Sequence, residues 1–320
     1  QTLLDNMVTS FVRDNYDWDT RCNIVKSEEG WKEENWKQFA ELGLLGVPFE
    51  EQYGGLGGKP TDLMIVMEQF GKGLVVEPYL PSVILAGGLI SKLGTEIQKN
   101  EIIPEIISGH RRYVFAYAEP QSRFDLFDIK TSATQKNENY IINGFKSVVF
   151  GASSATHLII AARTSDDQRS KSGITLFLVD VKSDGITLQN YPTIDEYRAS
   201  EVIIENLNVS SENILGTVND AYDTIEEVID ISTIAACSEA VGILQVLKDS
   251  TTEYCKNRKQ FGQPISKNQV IQHRLVDMMI EYEQAKSILY MAITADHSNS
   301  EERQKATSAA KARIGKAIKS

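Results

Sequence analysis

The 320-residue sequence predicts an α+β chain in three parts: an N-terminal α-helical domain over residues 1–112, a central antiparallel β-barrel or sandwich domain over 113–209, and a C-terminal four-helix-bundle-like domain over 210–320. Three observations carry this prediction. The chain is longer than one small hydrophobic core organises. Near residue 112 the helical spacing of apolar residues gives way to short β-rich runs. Near residue 210 helical spacing returns in much longer runs, as in helix bundles.

The elements follow in order. "WKEENWKQFAELG" sets Trp36, Phe39, Ala40 and Leu42 near one helical face, with Gly43 as its cap. "TDLMIVMEQFGKG" opens on a Thr-Asp cap and closes on Gly71. "PSVILAGGLISKLG" and "TEIQKNEIIPEIISG" continue as short helices punctuated by Gly and Pro. Then "RYVFAYAE", "KTSATQKNENYIINGFKSVVFG", "ATHLIIAAR", "GITLFLVDV", "GITLQNY" and "EVIIENLNV" read as strands separated by turn residues. "QKNEN" is the expected hairpin turn between "KTSAT" and "YIING". Beyond residue 210 two long helical patterns remain, the second with Ile271, Leu275, Met278, Met279, Tyr282, Ala285 and Leu289 at helical spacing. That stripe serves a bundle core or a contact between subunits.

A formal net charge of -11 disfavours a nucleic-acid backbone or an anionic membrane as general partner, so any anionic ligand needs locally gathered cations. Cys22, Cys237 and Cys255 are widely spaced and give no disulfide or zinc pattern, which fits a reducing, cytoplasmic setting. His110, His157, His273 and His297 are equally scattered, and no metal site is expected. No apolar run is long enough to span a bilayer, and the N-terminal stretch lacks the apolar core of a signal peptide. "EQYGGLGGKP" is glycine-rich but has no Gly-Lys-Ser/Thr and fits no dinucleotide fingerprint, so it reads as a connection.

"EYCKNRKQFGQPISKNQ" (253–269) ends a helical run with cations, a Gly and a Pro. On its own this is a helix C-terminus: cations complement the dipole, Gly caps and Pro stops. The whole chain adds a second meaning. Helices, β domain and bundle in that order resemble the acyl-CoA dehydrogenase family along essentially the full length. "LGLLGVPFEEQYGGLGG", "FAYAEPQSRFDL", "YPTIDEYRASEVIIENLNV" and "RKQFGQPI" are similar to landmarks of that family. Within it, "AYAEPQSRFDLFDI" and "NGFKSVVFGASSATHLIIAAR" look most like the small subunit of pimeloyl-CoA dehydrogenase and similar heteromeric partner subunits.

The resemblance implies FAD as cofactor, an acyl-CoA substrate, electron-transfer flavoprotein as electron acceptor, and a homo- or hetero-oligomer. It implies FAD contacts from Arg258, Gln260 and Phe261, reaching a neighbouring subunit, and from Asn268 and Gln269 at the next helix. A guanidinium suits a pyrophosphate and an aromatic face suits a flavin nucleotide's rings. It implies no catalytic residue here, because the family's Glu base falls beyond Ser320, and its alternative position just before the signature Arg holds Asn257.

Several positions depart from the family pattern. Ala118 stands where a hydroxyl meets the flavin, Gln121, Ser122, Arg123 and Phe124 replace a small loop, Val148 and Phe150 replace Trp and Thr, and Thr233 replaces an Arg. Phe124 and Phe150 are expected to fill space that catalytic subunits leave for ligand.

Overall fold

The computed structural model describes residues 2–319. Its N-terminal helices are α1 (Thr2–Asn15), α2 (Trp18–Lys26), α3 (Glu33–Glu41), α4 (Pro60–Gly73), α5 (Gly87–Leu93) and α6 (Glu96–Ile107). α3 buries Trp36 and Phe39 as its spacing predicts, and Gly43 follows it in the left-handed region. α4 starts one residue before the expected Thr-Asp cap. Pro60 occupies its first turn, and the Asp62 carboxylate accepts from the Lys59 N–H at 2.8 Å. The glycine-rich connection folds back on the preceding turn, with Gly57 and Gly58 donating to the carbonyls of Phe49 and Val47.

By internal contacts the chain divides into two compact units. One comprises Cys22–Gly58 and Val76–Ile229 and contains the sheet. Its strands are β1 (Tyr113–Ala116), β2 (Ser132–Lys136), β3 (Asn139–Phe150), β4 (His157–Arg163), β5 (Ile174–Asp180), β6 (Ile186–Pro192), β7 (Arg198–Ser210) and β8 (Ile214–Leu215). They run in the order β6-β7-β3-β2-β4-β5-β8, with β1 joined to β4. The expected hairpin turn is present, with Asn137 at φ +59° between β2 and β3.

The sheet is mixed rather than wholly antiparallel, because β4 pairs parallel with both β1 and β2. β4 is buried on both faces from Leu158 to Arg163, a continuous pattern that suits parallel neighbours better than a half-exposed meander. The core between the strands holds Val114, Ile142, Leu158, Ile160, Phe177 and Val202.

The other unit comprises Gln1–Arg21, Lys59–Val75 and Asp230–Ser320. Most of α7 (Tyr222–Asn257) lies in it, followed by the short strands β9 (Lys259–Gln260) and β10 (Gln263–Pro264), then α8 (Gln269–Thr294) and α9 (Ser300–Ala317). Ile234, Cys237 and Val241 of α7 pack with Tyr282 and Leu289 of α8 and Ile314 of α9. α4 crosses α7 at very close range. A Cβ on Gly71 would lie 1.9 Å from the Glu239 carbonyl oxygen, and one on Gly242 would lie 2.0 Å from that of Glu68. Arg303 of α9 pairs with Asp230 of α7 at 2.9 Å, both nearly buried. Among the described residues no helix is long and apolar enough to cross a membrane, and no group of His, Cys, Asp or Glu is arranged to hold a metal.

Candidate cofactor site

α7 does not end in a simple cap. The Arg258 N–H still donates to the Tyr254 carbonyl at 2.8 Å, and the chain then reverses through the β9–β10 hairpin. Gln260 pairs with Gln263, so Phe261 and Gly262 form a two-residue turn, with φ +52° and +81°. Positive φ at both positions is the geometry that joins twisted antiparallel strands tightly. Glycine adopts it freely, whereas a Phe there costs about 1–2 kcal/mol.

The Phe261 ring gains nothing in return from this chain, being 101% exposed. The Ile265 N–H donates to the Arg258 carbonyl at 2.9 Å, and the Asn268 N–H to that of Ile265 at 3.1 Å. These bonds bring Arg258, Gln260, Phe261, Asn268 and Gln269 together at one tip, all exposed.

The tip is chemically unspent. Among the described residues the Arg258 guanidinium forms no ion pair and no side-chain hydrogen bond. Asn268 precedes α8 but does not use its side chain as a cap. Residues 256–274 carry five Lys or Arg and no Asp or Glu, in a chain of net charge -11. Local cation density, free donors and a helix N-terminus are the donor set a pyrophosphate needs, and an exposed ring suits the flat surfaces of a flavin nucleotide. The residues present therefore fit FAD at this tip. The helices leading from it expose Leu247 and Tyr254 on α7 and Val270, Val276 and Met279 on α8, while Tyr282 is buried in the bundle.

The β unit offers a different surface. A bulge interrupts β3 between Lys146 and Val149, and Val148 sits at φ +53°. Val148 and Phe150 are 45% and 46% exposed, and Phe124, on the loop after Glu119, is 97% exposed. Phe124 and Phe150, expected at the space catalytic subunits leave for ligand, both stand out from the surface, because their segments are a surface loop and the outward positions beside a bulge. Ala118 brings no hydroxyl, and its carbonyl is already taken by the Ser147 N–H at 2.9 Å. This face has apolar area to pack on a ring, and no free polar side chain at Ala118, Val148 or Phe150 to orient one.

Beneath that face lies a feature the sequence reading missed. Lys146 is fully buried, and its Nζ lies 2.7 Å from Glu119 Oε1. Glu119 also accepts from the N–H groups of Lys130 and Thr131 and from the Gln121 amide. Burial pushes the Glu119 carboxyl up, but the ammonium and these donors outweigh it and hold it at about 2. Burial draws Lys146 down to about 8 against the attraction of Glu119, so the pair is ionised at neutral pH. It ties β3 to the loop bearing Phe124. Its one sequence signal is a Lys inside the apolar run "GFKSVVF".

Comparison with known proteins agrees with this architecture. Residues 1–110 match the acyl-CoA dehydrogenase N-terminal domain, 114–207 the middle domain, and 222–319 the C-terminal domain. A probable acyl-CoA dehydrogenase of Bacillus subtilis, YngJ, is 33% identical over 83% of this chain and 71% of its own length. The caffeyl-CoA reductase-Etf complex subunit CarC of Acetobacterium woodii is 32% identical over 80% of this chain and 68% of its own. Among solved structures, a steroid acyl-CoA dehydrogenase variant, Tcur3481-Tcur3483, superposes with a TM-score of 0.86 at 26% identity, over 99% of this chain and 84% of that one. The chain belongs to the acyl-CoA dehydrogenase family of FAD-dependent oxidoreductases.

Proposed function

We propose that the chain is a subunit of an FAD-dependent dehydrogenase acting on the α and β carbons of an acyl-CoA thioester, and that its Arg258–Gln269 tip completes the FAD site of a neighbouring chain. The observation that carries this is Phe261: an aromatic ring held in a disfavoured backbone conformation, fully exposed, beside an unpaired guanidinium. A side chain that costs its own fold energy and contacts nothing within the chain is explained by a contact outside it. Arg258 would hold the pyrophosphate, Phe261 would cover an aromatic surface, and Gln260, Asn268 and Gln269 would supply hydrogen bonds. Bound FAD supplies the hydride acceptor that no side chain can provide. Asn257 is an amide whose Nδ2 donates to Glu253 at 2.6 Å, so it is no base. The Etf-complex relative supports electron-transfer flavoprotein as the electron acceptor.

A second reading has its own observation. The face formed by Ala118, Val148 and Phe150 gives a flavin ring packing area but no polar side chain. That favours a partner subunit that completes a related catalytic chain's site without chemistry of its own, in line with the resemblance to the pimeloyl-CoA dehydrogenase small subunit. FAD stoichiometry separates the two. The full-length chain is purified alone and with a related subunit, and flavin per chain and acyl-CoA-dependent dye reduction are measured. One FAD per chain with activity in the lone protein supports the first reading and eliminates the second; one FAD per pair, with activity only in the mixture, supports the second.

A further inference from the structure

The loop after Glu119 is anchored on both sides of one exposed pair. On the near side the Ser122 hydroxyl accepts from the Glu119 N–H at 3.1 Å and donates to the Glu119 carbonyl at 2.8 Å. The Asp125 N–H closes the next turn on the Ser122 carbonyl at 2.8 Å. On the far side Arg169 takes both carboxylates of the loop, Asp125 at 2.7 Å and Asp128 at 3.3 Å, and lies over the Phe127 ring at 5.7 Å. Ser122 and Asp128 are buried, and all these residues belong to the sheet unit.

Between the anchors stand Arg123 and Phe124. Arg123 sits at φ +50°, a left-handed conformation that a residue with a Cβ rarely adopts. It is exposed, and among the described residues its guanidinium forms no ion pair and no side-chain hydrogen bond. The two carboxylates nearest it in sequence are taken by Arg169, so its five donors remain free. Phe124, the next residue, is 97% exposed. An anchored, strained turn that holds a free guanidinium beside a bare ring offers a donor fork for a phosphate and a flat face for a heterocycle.

The position narrows the ligand. The loop leaves the sheet at Ala118, whose carbonyl takes the Ser147 N–H beside the Val148 bulge, so the pair flanks the apolar face of Ala118, Val148 and Phe150. FAD and an acyl-CoA each carry a pyrophosphate and an adenine. Arg258 is the cation proposed for the FAD pyrophosphate, which leaves the second nucleotide, coenzyme A, for this loop.

We propose that Arg123 and Phe124 hold the nucleotide end of the acyl-CoA, the guanidinium on a phosphate and the ring on the adenine. The pair thereby selects CoA thioesters over thioesters that end in pantetheine alone. This rests on the proposed dehydrogenase function. The test is calorimetric titration of the assembled full-length complex with CoA and with pantetheine, beside FAD affinity from flavin fluorescence. Arg123→Gly removes the cation and suits the positive φ, so it should melt no lower than the unmodified chain while binding CoA about tenfold more weakly or worse. Phe124→Leu keeps an apolar side chain without a ring and should weaken CoA by about threefold or more. Lys136→Ala removes an equal charge from the β2–β3 hairpin of the same unit and should change CoA binding by less than about twofold. Pantetheine and FAD affinities should not move in any variant. The proposal is overturned if Arg123→Gly or Phe124→Leu binds CoA as tightly as the unmodified complex, if Lys136→Ala loses as much, or if pantetheine or FAD affinity falls in step with CoA. An unmodified complex with no affinity for CoA overturns the dehydrogenase reading as well, so the two failures are distinct.

Discussion

Replacing Lys146 by Met removes one charge from a pair whose side chains are 0% and 1% exposed. The Glu119 carboxylate then stays buried with the donors of Lys130, Thr131 and Gln121 but without a counter-charge. Breaking a buried pair from one side costs about 3–5 kcal/mol, and for a chain of this size each kcal/mol moves the melting temperature by roughly 2–4 °C. Thermal unfolding at pH 7 should therefore shift down by roughly 6–20 °C. The double substitution Lys146→Met/Glu119→Gln removes both charges and should recover most of the loss.

The pH dependence has a definite sign. The folded carboxyl is held at about 2, below the ordinary Glu value of 4.5, so its stabilisation is complete above 4.5 and is lost as pH falls toward 2. Glu119→Gln should flatten that acid limb. A Lys146→Met protein melting within about 2 °C of the unmodified chain would show that the Lys146–Glu119 pair contributes less than about 1 kcal/mol.

Two further outcomes follow from the geometry. Phe261→Asn relieves the left-handed strain at the hairpin and should raise the unfolding free energy in urea by about 0.5–1 kcal/mol, while lowering flavin retention; unchanged stability with full flavin would show that the ring has no external role. Gly242→Ala places a Cβ 2.0 Å from the Glu68 carbonyl oxygen and should cost about 2–3 kcal/mol or more in urea unfolding, because backbone cannot yield as a flexible side chain does; a cost below about 0.5 kcal/mol would show that the α4–α7 crossing has slack.

Element types were largely legible in the sequence because periodicity and punctuation agree along most of the chain. α7 and α8 follow from apolar spacing, and the β2–β3 hairpin follows from Asn137 and its polar neighbours. The parallel pairing of β1 and β2 with β4 was not legible, since strand neighbours are chosen by tertiary packing and leave no local signal. At the tip, residue types pointed to cofactor chemistry, but only the fold shows Phe261 at positive φ and fully exposed. The exposure of Phe150 was not legible for a related reason: identity gives side-chain volume but not direction, and a bulge beside Val148 sets the direction. Lys146 hid because one charged residue in a strand reads as solvent-facing until its partner Glu119, 27 residues earlier, is placed beside it.

The role proposed for Arg258, at an exposed hairpin tip, is to hold FAD together with a neighbouring chain. Its most direct test is the FAD dissociation constant of the assembled full-length complex carrying Arg258→Ala, measured by flavin fluorescence, with circular dichroism as the check on folding. Loss of a charge-assisted phosphate contact should weaken FAD by about 2–4 kcal/mol, roughly 30- to 1000-fold, with helical content unchanged. FAD bound as tightly as in the unmodified complex would contradict the claim and leave Arg258 as a cation at the end of α7.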